Sequence, residues 1–101
     1  MSAIQITKEN FRKEVIESEV PVLLDFWADW CGPCRKLAPV IEEIAAERTD
    51  IKVGKVEIEE QMELAREFRI VSIPTLVLMK DGQIEKQLVG VRPKEQILSI
   101  L

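Results

Sequence analysis

The chain has 101 residues, with no histidine, no tyrosine and only two cysteines. Without histidine, no imidazole is available to assist a thiol. Two cysteines in one chain fall short of the four ligands of a closed zinc site and of the four thiolates that usually hold an iron–sulfur cluster, so such a centre would have to bridge two chains. Long apolar runs are missing too: the longest, IVSIPTLVLM at 70–79, is too short to cross a bilayer and is interrupted by Pro74. There is no excess of positive charge. The 14 Lys and Arg are interspersed among 18 Asp and Glu for a net charge of -4, which gives no electrostatic reason to expect a nucleic acid or an anionic membrane as partner. The opening stretch MSAIQITKENFRKEVIESEV lacks the basic start, apolar run and cleavage site of a secretory signal, so a cytoplasmic location is expected. No repeat, low-complexity tract or linker interrupts the chain, so residues 1–101 are expected to form a single domain around one core.

Both cysteines lie in the stretch WCGPC at 30–34. As a structural clamp the pair is weak, because closing a loop of about four residues stabilises by only roughly 2 kcal/mol, against about 3 for fifteen. In a reducing compartment, CxxC beside alternating strands and helices reads instead as a dithiol that opens and closes.

The periodicity places that dithiol. Ala3 to Ile6 is a short strand candidate, and Thr7 is suited to cap a helix with Phe11, Val15 and Ile16 on one face, ending near Glu19. Pro21 opens VLLDFW, too short and too continuously apolar for a surface helix, which reads as a central strand buried on both faces. From Cys31 the spacing turns helical, with Leu37, Val40, Ile41, Ile44 and Ala45 on one stripe and Pro39 expected to kink the helix. A strand over Ile51 to Ile58 follows, then a short helix at 59–68 burying Met62, Leu64, Ala65 and Phe68. Another strand starts near Thr75 and turns at Asp81-Gly82 into an antiparallel return over Gln83 to Val89. Pro93 fits the first turn of a last helix with Ile97, Ile100 and Leu101 inward. This order predicts an α/β fold: a mixed sheet of parallel strands plus a C-terminal antiparallel hairpin, with helices on both faces.

The motif therefore falls where a buried strand hands over to a helix N-terminus. Unpaired backbone N–H groups and the positive end of the helix dipole favour an anion there, which makes Cys31 the candidate nucleophile. Cys34, one turn into the helix, is expected to point back toward the protein and to resolve a mixed disulfide formed by Cys31. Gly32 and Pro33 let the chain turn tightly enough for the two sulfurs to meet.

The stretch DFWADWCGPCRKLAP, followed by SIPT, a DG turn and the Val89-Gly90 pair, resembles the thioredoxin family along essentially the whole chain. The resemblance implies the thioredoxin fold, and protein-disulfide reduction by a dithiol that cycles through a reversible Cys31-Cys34 disulfide with no bound cofactor. A lowered nucleophile pKa and a low reduction potential are properties of that family and come with the resemblance, not from the spacing. It further implies that the Ile73-Pro74 bond is cis and faces the dithiol, that Asp25 relays the proton of Cys34, and that Lys55 tunes Asp25. It also implies a shallow groove for an extended partner peptide, formed by Trp30, Gly32, Pro33, Ile73, Pro74 and the segment Val89, Gly90 and Val91. Its partners would be disulfide-containing target proteins and a thioredoxin reductase, either an NADPH flavoprotein or a ferredoxin-linked enzyme; the chain is expected to be monomeric.

Asp25 has support of its own, since a carboxylate between Leu24 and Phe26 in a doubly buried strand is costly unless paired or protonated; a strand-end Asp touching solvent or a lysine is the alternative. Trp27 reads as core, and Trp30 as lining the site. Glu57-Ile58-Glu59 departs from the Asn or Asp common in the family at the polar positions, which is expected to alter the cap of the following helix or the choice of partner. Three other functions compete with the reductase: a disulfide oxidant or isomerase, which Pro33 and the missing signal disfavour; a redox-silent partner-binding module, which has no need of an intact WCGPC; and the bridging metal centre.

Overall fold

The computed structural model describes residues 2–101. Five strands form one sheet: β1 (Ile4–Gln5), β2 (Val22–Trp27), β3 (Lys52–Glu57), β4 (Thr75–Lys80) and β5 (Gln83–Val89). Three α-helices accompany it: α1 (Gly32–Glu47), α2 (Met62–Glu67) and α3 (Lys94–Leu98), with a π-helical turn at Arg12–Ile16. The strand order is β1-β3-β2-β4-β5. β1, β3 and β2 run parallel, β4 lies antiparallel to β2, and β5 antiparallel to β4, the mixed sheet that the element order predicts.

β2 lies at the centre, and all of its residues except Trp27 are buried. Because side chains alternate along a strand, it feeds two cores. Val22, Leu24 and Phe26 join Val56, Val77 and Met79 beneath Val15 of the π-helical turn and Leu64 of α2. Phe68 completes this side, meeting Phe11 edge to face and Phe26 at a tilt, at centroid distances of 5.8 and 5.1 Å. On the opposite face Leu23, Val53 and Leu76 meet Leu37, Ile41 and Ile44 of α1 and Ile97 of α3.

The hairpin follows from its two turn residues. Asp81 and Gly82 both have positive φ, 51° and 75°, the combination that matches a two-residue turn to the strand twist. Glu85 is then an extra residue on β5, since Leu78 pairs with Lys86 but Met79 with Ile84. β5 is the sheet edge and is mostly exposed, and its bulge and charges discourage pairing with another chain.

Several expectations are corrected. The helix expected from Thr7 to Glu19 shortens to the π-helical turn, with Thr7 and Asn10 exchanging side-chain to backbone bonds of 2.7 and 3.2 Å just before it. Ile16 is more than one-third exposed because it sits at the rim beside Gly82 of the hairpin turn. Met62 is 54% exposed. In a helix it lies about 200° from Leu64, so the two cannot both face the sheet. Pro93 caps α3 from outside, with φ -60° and ψ 151°, and its carbonyl accepts the N–H groups of Gln96 and Ile97. Ile97 is buried, whereas Ile100 and Leu101 are only half-buried.

Gly54 of β3 is required by close approach. A Cβ there would come within 2.6 Å of Ile6 Cγ1 and 3.1 Å of Leu24 Cδ2, and both side chains are fully buried. Gly54→Ala is expected to destabilise the protein by about 1–3 kcal/mol, read as a lower urea midpoint with an unchanged slope.

Candidate active site

The site begins where β2 ends. Trp27 closes the strand, Ala28 is fully buried, and the Cys31 N–H donates to the Ala28 carbonyl at 3.2 Å, turning the chain into α1. Cys31 is the N-cap, in extended conformation (φ -87°, ψ 107°), and Pro33 lies in the first turn, where its missing N–H costs nothing. The Cys34 N–H donates to Cys31 Sγ at 3.2 Å. Sulfur thus takes the place of the Ser or Asp oxygen that usually caps a helix, and a thiolate at that position faces the donors and the positive end of a 16-residue helix.

Cys31 and Cys34 form a disulfide with Cα atoms 5.2 Å apart. Exposure hardly separates them, at 4% and 2%; what distinguishes Cys31 is its place ahead of the helix. Cys31 Sγ lies 3.9 Å from the Ile73 carbonyl oxygen, and Ile73 packs against the small cluster of Ala28, Cys31 and Cys34. The Ile73-Pro74 peptide is cis. Thr75 Oγ1 donates to the Ser72 carbonyl at 2.6 Å and the Gly90 N–H to the Pro74 carbonyl at 2.8 Å, so this segment is anchored at both ends. Gly90, with φ 90°, adopts a backbone conformation that side-chain-bearing residues rarely tolerate.

Only part of the expected groove comes together as one cavity. A depression of about 640 Å³ is lined by Gly32, Pro33, Arg35, Lys36 and Val91. Ile73, Pro74, Val89 and Gly90 are not in its lining; Pro74 is buried, while Val89 is 46% exposed. Trp30 is 63% exposed and is also outside the lining, because its Nε1–H donates to Glu59 Oε2 at 2.9 Å. Glu57 Oε1 accepts the Glu59 N–H at 2.7 Å. The two unusual acids thus organise the loop before α2, whose own N-cap, Gln61, makes no side-chain cap bond. Sequence reasoning missed Arg35 and Lys36 as site residues; their position directly after Cys34 was the available signal.

Asp25 and Lys55 are register partners in β2 and β3. Asp25 shares the face of Leu23 and Lys55 that of Val53, the face covered by α1, and the strand runs toward the helix start that carries Cys34. Asp25 is 1% exposed, and its Oδ1 has no hydrogen-bond partner. Burial raises its pKa to about 7, against the opposing pull of the Lys55 charge. Lys55 forms no ion pair with it among the described residues; its Nζ sits 4.5 Å over the ring of Trp27, which is half-buried, not core. Among the described residues no three His, Cys, Asp or Glu side chains converge as a metal site.

Comparison with known proteins gives a consistent picture. The family model described as Thioredoxin matches residues 2–101. A protein named thioredoxin from Mycobacterium tuberculosis is 51% identical over 98 residues, covering 96% of this chain and 84% of its own length. Thioredoxin 1 of Synechococcus elongatus is 48% identical over 100 residues, with 98% and 94% covered. The bifunctional thioredoxin reductase/thioredoxin of Mycobacterium leprae is 48% identical over 96 residues, which are 94% of this chain and 21% of that larger protein.

The Asp25 environment has a consequence for stability. An exposed carboxyl titrates near 3.9, so the folded protein, with Asp25 raised to about 7, holds this proton more tightly than the unfolded chain. Burial of the group carries no charge penalty below about pH 4, becomes destabilising as pH rises from about 4 to 7, and reaches its full penalty above that. Asp25→Asn is therefore expected to be more stable than the wild type at pH 8 by on the order of 2–4 kcal/mol. The gain should vanish at pH 4, as read by urea denaturation of the oxidised proteins at both pH values.

Proposed function

The chain belongs to the thioredoxin family, the thiol-disulfide oxidoreductases that reduce disulfides in other proteins, and from that premise we propose how its residues divide the work. The Cys31 thiolate attacks one sulfur of a partner's disulfide, forming a mixed disulfide and releasing the partner's other sulfur as a thiolate. Cys34, deprotonated by Asp25, then attacks Cys31 Sγ, closes the Cys31-Cys34 disulfide and releases the second partner thiol. Two electrons pass to the partner; the proton taken from Cys34 returns from Asp25 to the second departing sulfur, and the first, released as a thiolate, takes its proton from water. The observation that carries this assignment is the bond from the Cys34 N–H to Cys31 Sγ at the start of α1, because a group that caps a helix is stabilised as an anion.

A carboxyl with a pKa of about 7 is matched to accept and return a proton at neutral pH, and Lys55 sets how far that pKa rises. Gly32 and Pro33 keep the turn tight. Trp30, Ile73, Pro74, Val89, Gly90 and Val91 border the path of an extended partner segment. In this reading residues 1–101 act as one monomeric domain in the reducing cytoplasm, with the cysteine pair as the sole redox group. Thioredoxin reductase recharges it, as an NADPH flavoprotein or a ferredoxin-linked enzyme; the Mycobacterium leprae relative joins the two names in one chain. No helix among the described residues is long and apolar enough to cross a membrane.

Cys31→Ser is expected to reduce turnover of a protein disulfide to the uncatalysed background, and Cys34→Ser to accumulate a mixed disulfide visible on a non-reducing gel. Retained turnover in Cys31→Ser would refute the assignment. In an equilibrium redox titration the pair is expected to show a two-electron midpoint at or below the cytosolic glutathione poise of roughly -220 to -260 mV. A midpoint well above that range would make the protein an oxidant or isomerase.

A further inference from the structure

The cavity beside the dithiol has a charged wall that the redox chemistry leaves unused. Gly32 and Pro33 of the motif line it together with Arg35, Lys36 and Val91, so a chain segment delivering a disulfide to Cys31 passes these two cations. Among the described residues, five of the fourteen cations are paired with carboxylates: Lys8 with Glu63, Arg12 with Glu17, Arg48 with Asp50, Lys52 with Glu14, and Lys94 with both Glu43 and Glu47. Among the described residues, neither Arg35 nor Lys36 has a carboxylate within 4.0 Å. Arg35 is nonetheless held in place, its Nη1–H donating to the Asp29 carbonyl at 2.7 Å, a bond that fixes the guanidinium without neutralising it.

The sheet order sorts charge around the site. β3 and β4 flank β2 on opposite sides, and the dithiol follows the end of β2. The end of β3 leads to Glu57, Glu59 and Glu60, with Glu59 holding the Trp30 indole. The end of β5, beyond β4, leads to Val91 and to Arg92, whose Nε–H donates to the Val89 carbonyl at 3.1 Å. The loop after β3 is therefore acidic, while the cavity wall beside the motif carries Arg35 and Lys36.

We propose that Arg35 and Lys36 select among target disulfides, favouring partner segments with acidic residues beside the attacked cysteine. This rests on the oxidoreductase reading above and adds a specificity to it. In a protein of net charge -4 an acidic partner is otherwise repelled at long range, so a local cationic wall gives such a partner one attractive face, next to the reacting sulfur. Both cations also favour the Cys31 thiolate. That effect is common to every substrate and cancels when two substrates are compared on the same protein.

The test uses two disulfide-linked peptides that differ only in carrying Asp or Lys on either side of the attacked cysteine, with uncharged bis(2-hydroxyethyl) disulfide as a third substrate. For the wild type at low salt, kcat/KM is expected to favour the Asp peptide by roughly three- to tenfold, and the preference should fall toward unity in about 0.5 M salt, where the Debye length is only a few ångströms. Lys36→Gln should lower the ratio and Arg35→Glu/Lys36→Glu should invert it. A wild-type ratio near one, or a ratio unchanged in both variants, would overturn the proposal while reduction of the uncharged disulfide leaves the oxidoreductase reading standing. Failure to reduce any of the three substrates would overturn both.

Discussion

β2 has no solvent face, and the architecture follows from that constraint. Its residues alternate between two cores, one roofed by α1 and α3, the other by the π-helical turn and α2. Both neighbours must be strands if its backbone groups are to be paired, and they are β3 and β4. To cover one face, the chain leaving β2 has to double back at once as a helix. The short connection at 28–31 does this, and the cysteines occupy the only place among the described residues where a buried strand end and a long helix start meet. The redox pair is thus located by the same burial that holds the sheet together.

Two electrostatic features of opposite sign act at this junction. The start of α1 favours a negative sulfur at position 31, through the Cys34 N–H and the helix dipole. The interior of the sheet disfavours the negative carboxylate of Asp25, whose Oδ1 has no partner and whose pKa rises to about 7. A buried, unpartnered carboxylate weakens the fold at neutral pH, and a core built only for stability would hold an apolar residue there. Its place on β2, the strand that leads into the dithiol, is in keeping with the proton-relay role proposed for it. Lys55 could have neutralised it but instead lies over Trp27, so the carboxyl stays poised near neutrality.

The fold was largely legible because its signals are local. The continuous apolar run of β2, the stripe of Leu37, Ile41 and Ile44, and the Asp81-Gly82 turn each specify one element without reference to the rest. The errors cluster where an element is short. Met62 was expected inward, but a helix as short as α2 presents one residue, Leu64, squarely to the sheet; Ile16 meets the rim of the hairpin because its own helix is reduced to a π-helical turn. At the site, the cysteine pair could be read from WCGPC alone. Arg35 and Lys36 went unnoticed because a charged pair on an amphipathic helix looks like solvated surface until Val91, from a distant strand end, closes a cavity around it.

By itself the sequence determined the chemistry and the order of elements: two thiols at a strand-to-helix junction, in a chain with no histidine and too few cysteines for a closed zinc site or an iron–sulfur cluster of its own. These are matters of residue type and spacing, carried along the chain. The tertiary structure decided what depends on neighbours remote in sequence: that β4 rather than β1 lies beside β2, that the Ile73 carbonyl faces Cys31 across 42 positions, that Trp30 is held by Glu59, and that burial lifts the Asp25 pKa. Desolvation, charge pairing and cavity shape are properties of the atoms that surround a group, and those atoms are assembled only when the sheet closes.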